Sequence, residues 1–125
     1  MQNLDQKRAL NAMAAVRKYD PQGKNDGNVI KKVPTMIQQN GLLGAIAFAL
    51  DDKAGHADVL KGAMEHYHTY DAESPVGNDL NEFARWLCQQ DSARLRAATA
   101  EILAYLNFYR RFASQERKNH EHGND

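Results

Sequence analysis

The chain has 125 residues, 42% of them hydrophobic and 26% charged, so it is long enough for one domain with a real core and too ordinary in composition for a disordered or fibrous class. Sixteen basic side chains balance sixteen acidic ones, which excludes a uniformly basic or acidic protein. The single cysteine, Cys88, excludes an internal disulfide framework and an all-cysteine metal site.

The charges are segregated. Residues 1–34 carry seven basic side chains (Lys7, Arg8, Arg17, Lys18, Lys24, Lys31, Lys32) against Asp5, Asp20 and Asp26. Residues 51–82 carry eight acids against Lys53 and Lys61, and residues 85–118 are again net basic. A neutral but polarised chain can offer a basic face to a polyanion and an acidic face to a basic neighbour. The start, "MQNLDQKRAL", lacks the basic-then-apolar layout of a secretory signal, and a reducing cytoplasm is the expected compartment.

The periodicity predicts helices throughout, in an all-α bundle of about six, with residues 1–118 as a single domain. The first helix spans about 4–19, with Ala9, Leu10, Ala12, Met13 and Val16 on its apolar arc and Lys7, Asn11 and Lys18 opposite. "PQGKNDG" is a loop. The second helix spans about 27–40 and places Val29, Ile30, Val33, Met36 and Ile37 inward. Its phase survives Pro34, so a kinked helix is expected, with a shorter helix beginning at Pro34 as the alternative. Asn40-Gly41 ends it. Leu42 to about Lys53 is apolar nearly all round, as a buried central helix should be. The uncharged run "VPTMIQQNGLLGAIAFAL" is therefore two helix pieces and a turn. Only its last nine residues are continuously apolar, too few for a membrane span of about 20.

A fourth helix, about 56–70, buries Val59, Leu60, Ala63, Met64 and Tyr67. "DAESPVGND" is a loop whose Asn78 or Asp79 caps a fifth helix, about 79–90, with Leu80, Phe83, Ala84 and Leu87 inward. Asp91 or Ser92 caps a long last helix, about 92–118, striped by Leu95, Ala98, Ile102, Tyr105, Leu106, Tyr109, Phe112 and Ala113. Residues 119–125 read as a frayed polar tail.

Catalytic signals are weak. His66 and His68 would point about 200° apart on a helix, and His56, His120 and His122 are scattered, so surface or half-buried histidines are expected rather than a metal site. Cys88 reads as a buried small hydrophobe. No phosphate-loop spacing is present. No catalytic centre, metal or cofactor is expected. A small metal-dependent enzyme using the histidines is the weakest reading.

The basic faces say more. Arg96, Asn107, Arg110 and Arg111 gather opposite the apolar stripe of the last helix, with Arg96 and Arg110 roughly 21 Å apart along it. Lys31, Lys32, Thr35, Gln38 and Gln39 form a second polar face, and Lys7, Lys18 and Asn11 a third. Arginine, lysine and amide side chains together suit phosphate and ribose contact. Solvated helix faces, or a protein-interaction adaptor with no nucleic-acid role, are the alternatives.

The run Val33-Pro34-Thr35-Met36-Ile37-Gln38-Gln39-Asn40-Gly41-Leu42, followed by Ala45-Ile46-Ala47-Phe48, resembles the signature of the small subunit of the type III-B CRISPR RNA-guided effector, the Cmr complex. "TAEILAYLNFYRRFA", Thr99 to Ala113, resembles a second family motif, with Phe108 where that motif has tryptophan. The resemblance implies a non-catalytic subunit. It would stack with copies of itself beside other Cmr subunits and line the path of guide RNA and target RNA, with neither membrane nor small-molecule substrate. The expected RNA contacts are then Lys7, Lys18, Lys31, Lys32, Gln38, Gln39, Arg96, Asn107, Arg110 and Arg111. Glu101, inside the second motif, is expected to pair with a neighbouring arginine. The acidic 51–82 segment is expected to meet a basic face of the next copy, so charge reversal at Asp51, Asp52 and Asp58 should weaken assembly.

Overall fold

A computed structural model describes residues 3–19, 27–51, 53–77 and 79–123. The loop "PQGKNDG" falls largely outside these residues, as do Asp52, Asn78 and the last two residues; the side chains of His120 and His122 are likewise not described. Among the described residues there are five helices and no strand: α1 (Leu4–Tyr19), α2 (Gly27–Leu50), α3 (Ala54–Tyr70), α4 (Leu80–Cys88) and α5 (Ser92–Gly123). α2 holds the two expected pieces, and Pro34 lies inside its first limb rather than starting it.

Local chemistry sets the ends. At α1 the Asn3 and Gln6 backbone N–H groups donate to each other's side chains, both at 2.8 Å, a reciprocal cap. Asp79 caps α4 by accepting from the Asn81 N–H at 2.9 Å, and Asp91 caps α5 by accepting from the Arg94 N–H at 2.8 Å.

Gly41 breaks α2 with φ 80° and ψ 164°, a backbone region open essentially to glycine alone. A methyl group there would meet nothing within 4 Å. Gly41→Ala is therefore expected to lose about 1–3 kcal/mol through backbone strain alone, read as a lower urea midpoint with an unchanged m-value.

The core takes Ala12, Ala15 and Val16 from α1, Ile30, Val33, Ile37, Leu42 and Ile46 from α2, and Val59, Leu60, Met64 and Tyr67 from α3. Leu80, Phe83 and Leu87 come from α4, and Ile102, Tyr105 and Tyr109 from α5. α1 approaches α3 closely at Gly62, where an added methyl group would sit 2.9 Å from the Tyr105 hydroxyl and 3.0 Å from the Ala15 methyl.

Four expectations are corrected. On α1, Leu10 (49% exposed) and Met13 (38%) face outward, while Ala15 turns in. The second limb of α2 buries Leu42, Ala45, Ile46 and Ala49, but Ala47, Phe48 and Leu50 are exposed, so it is not buried all round. Cys88, the last residue of α4, is exposed and not a core residue. α5 runs to Gly123, past the expected end at 118.

Arg94 ties the start of α5 to the end of α3. Its guanidinium donates to both Asp71 oxygens at 2.8 Å, reaches Glu73 at 2.9 Å, and lies 4.8 Å from the Trp86 ring centre. Burial alone would raise the Asp71 carboxyl, but hydrogen bonds from Arg94, the Glu73 N–H and the Tyr67 hydroxyl, with the Arg94 charge, together hold the group below its ordinary value.

Candidate nucleic-acid interface

α2 and α5 run side by side and leave a groove of about 530 Å³ between them. α2 supplies Lys31, Pro34, Thr35 and Gln38, and α5 supplies Leu103, Leu106, Asn107 and Arg110. Each set has i, i+3, i+4, i+7 spacing, so each helix gives one continuous face. Pro34, Leu103 and Leu106 provide the apolar portion. Lys31, Gln38, Asn107 and Arg110 are exposed and line the same groove. The Thr35 hydroxyl donates to the Lys31 carbonyl at 3.1 Å, next to the proline that cannot donate. A second hollow of about 270 Å³ continues along α2 past Lys31, Lys32, Thr35, Met36, Gln39 and Asn40.

Two faces from distant parts of the sequence thus meet only in the folded chain. The ten expected contact residues are all exposed. Six of them, Lys31, Lys32, Gln38, Gln39, Asn107 and Arg110, border these two hollows. Arg96 and Arg111 stand elsewhere on α5. Lys7 borders a separate hollow of about 200 Å³ with Leu4, His66, Thr69 and Tyr70. Lys18 is engaged within the chain. Its ammonium lies 2.9 Å from Glu65 and 5.1 Å from the Tyr19 ring centre, and the Tyr19 hydroxyl also donates to Glu65.

Pairing within the chain also draws on the acidic segment. Glu65, Asp71 and Glu73 bind cations of the same molecule and Asp79 is a helix cap, which leaves Asp51 and Glu82 as exposed carboxylates there among the described residues. Asp58 also has an interaction within the chain.

Glu101 pairs as expected, and its partner is Arg8. The Arg8 Nε and Nη2 donate to the two Glu101 oxygens, both at 2.7 Å. His66 Nε2 donates to Glu101 at 2.9 Å, while Asn11 Nδ2 donates to His66 Nδ1 at 2.9 Å. His66 is 1% exposed, so it is a core group rather than the surface or half-buried histidine expected. Burial, partly offset by Glu101, lowers its pKa and keeps the ring neutral. Burial alone would raise the Glu101 carboxyl; hydrogen bonds from Arg8 and then His66 hold it below its ordinary value. Residues 8, 12, 15 and 16 share helical phase, so Arg8 was detectable as an inward cation once that phase was chosen. His68, two residues on, donates from Nδ1 to the Ser74 carbonyl at 2.7 Å.

Fold and site define an all-α bundle with an exposed, cationic, amide-edged groove between two helices. The family model for CRISPR-associated protein (Cas_Cmr5) matches residues 4–116, and the chain belongs to that family, the small subunits of type III-B Cmr complexes. The X-ray structure of a CRISPR-associated Cmr5 family protein from Thermus thermophilus has a similar fold. The two chains are 22% identical with a TM-score of 0.72, over 91% of this chain and 97% of that one. No curated protein matches the sequence. No described helix is long and apolar enough to cross a membrane.

Proposed function

We propose that this Cmr subunit is a non-catalytic element of the cytoplasmic ribonucleoprotein, one that stacks with its own copies and lines the path of guide RNA and target RNA. The observation that carries this reading is the α2–α5 groove, where Lys31 and Arg110 stand with Gln38 and Asn107. Cations and neutral amides bind phosphate and ribose without reading base sequence. That division of labour suits an RNA-guided complex, in which base pairing reads the sequence and protein contacts hold backbone and shape. Stacking of copies would draw on the exposed Asp51 and Glu82 against a basic face of the next copy.

The test is RNA binding by the full chain, and by the complex that co-purifies with it, across a salt series. A log–log slope of about −0.7 per neutralised phosphate is expected on single strands. A flat response would favour the adaptor reading, which the exposed Leu10 and Met13 on α1 also support.

A further inference from the structure

Phe48 lies in the most apolar limb of the chain yet is 40% exposed. Neighbouring side chains fix its orientation all the same. The His56 ring meets it edge-on, with centres 5.2 Å apart and planes at 69°. The Lys53 ammonium lies 5.8 Å from the Phe48 ring centre. His56 Nε2 is buried and has no hydrogen-bond partner among the described residues. Burial first, then the nearby Lys32 and Lys53 charges, lowers the His56 pKa, so the imidazole is a neutral prop. Lys32 also borders the hollow that continues the α2–α5 groove, and its charge reaches His56, which links the aromatic pair to that cationic face.

We propose that the exposed Phe48 ring is a stacking platform for one unpaired nucleobase of an RNA strand, with Lys32 and Lys53 taking the flanking phosphates. A base inside a duplex is already covered on both faces, so an aromatic ring can take only an unpaired or terminal one. One cation over an exposed ring, with the Lys32 charge felt at the neighbouring His56, makes the arrangement used for single strands, in which stacking is indifferent to base identity. The inference rests on the RNA-path reading above and adds to it a class of ligand, the unpaired base, that a duplex-lining groove alone does not require.

The test uses the full chain and a single-stranded RNA oligonucleotide carrying 2-aminopurine, whose fluorescence falls when it stacks. Phe48→Leu keeps the apolar bulk and removes the π-face; Phe48→Trp keeps both. The expected result is quenching by the wild type and F48W, little quenching by F48L, and roughly tenfold weaker binding by F48L, the scale of one base–aromatic stack. The F48L salt slope should be unchanged, because no phosphate contact is lost. Quenching and affinity equal to wild type in F48L overturn the platform. If Lys31→Glu with Arg110→Glu still lowers the slope in that case, the groove reading survives. If the wild type itself shows no salt-dependent RNA binding, both readings fail. Loss of self-association in F48L with unaltered RNA binding would make Phe48 an apolar protein contact and also overturn the proposal.

Discussion

Arg8→Ala should destabilise the fold by about 3–5 kcal/mol, the scale for removing one partner of a buried ion pair. That is a large share of the roughly 5–15 kcal/mol that holds a domain together. Glu101 would be left with its side chain 4% exposed and only a neutral histidine beside it. Arg8→Lys should recover only part of the loss, because one ammonium cannot reproduce the two-pronged contact with both carboxylate oxygens. Arg8→Ala with Glu101→Ala should cost less than the two single changes added together, since no uncompensated charge then remains. Urea denaturation of the variants beside the wild type measures this.

The same network sets a pH dependence. The folded Glu101 carboxyl titrates below its ordinary value of 4.5, so its contribution is full above that pH and is lost as pH falls through the folded value. The folded His66 imidazole titrates below its ordinary 6.5, so the unfolded chain takes up the proton first. Its contribution is also full above pH 6.5 and erodes below it. Wild-type stability should therefore decline in acid in two stages. In Arg8→Ala the unpaired Glu101 favours a protonated His66, which supplies the missing positive charge. The deficit of that variant should accordingly shrink between about pH 8 and pH 5.5. A deficit that is constant across this range would separate His66 from the network's electrostatics.

The second large effect is expected on RNA. Lys31→Glu with Arg110→Glu places two carboxylates in the groove where two cations stood. At about 1.5 kcal/mol for each charged hydrogen bond lost, binding should weaken at least about a hundredfold. The log–log salt slope should fall by about 1.4, for two phosphate contacts. Both side chains are exposed and make no ion pair with a described residue, so thermal stability should stay near wild type. Lys18→Glu is the internal comparison. Lys18 is tied to Glu65, so its reversal should change stability before it changes the slope.

The sequence by itself located the helices and the Gly41 break and narrowed the caps of α4 and α5 to two residues each, because these depend on neighbours within about four residues. Phe83 and Leu87 on α4, and Ala98, Ile102, Tyr105 and Tyr109 on α5, were legible as core from spacing alone. Phase was ambiguous where apolar residues cover most of a helix's circumference. On α1, Leu10 and Met13 are as hydrophobic as the inward Ala12, Ala15 and Val16, and only packing against α3 and α5 decided which side turned in. Phe48 was exposed for the same reason, in a limb with no polar residue to mark its outer face. Only the tertiary structure joined Arg8 to Glu101, 93 residues apart, and brought Lys31 and Gln38 of α2 beside Asn107 and Arg110 of α5. Helical periodicity tells which residues share a face but not which face of another helix it will meet, and that pairing is settled by the packing of the whole core.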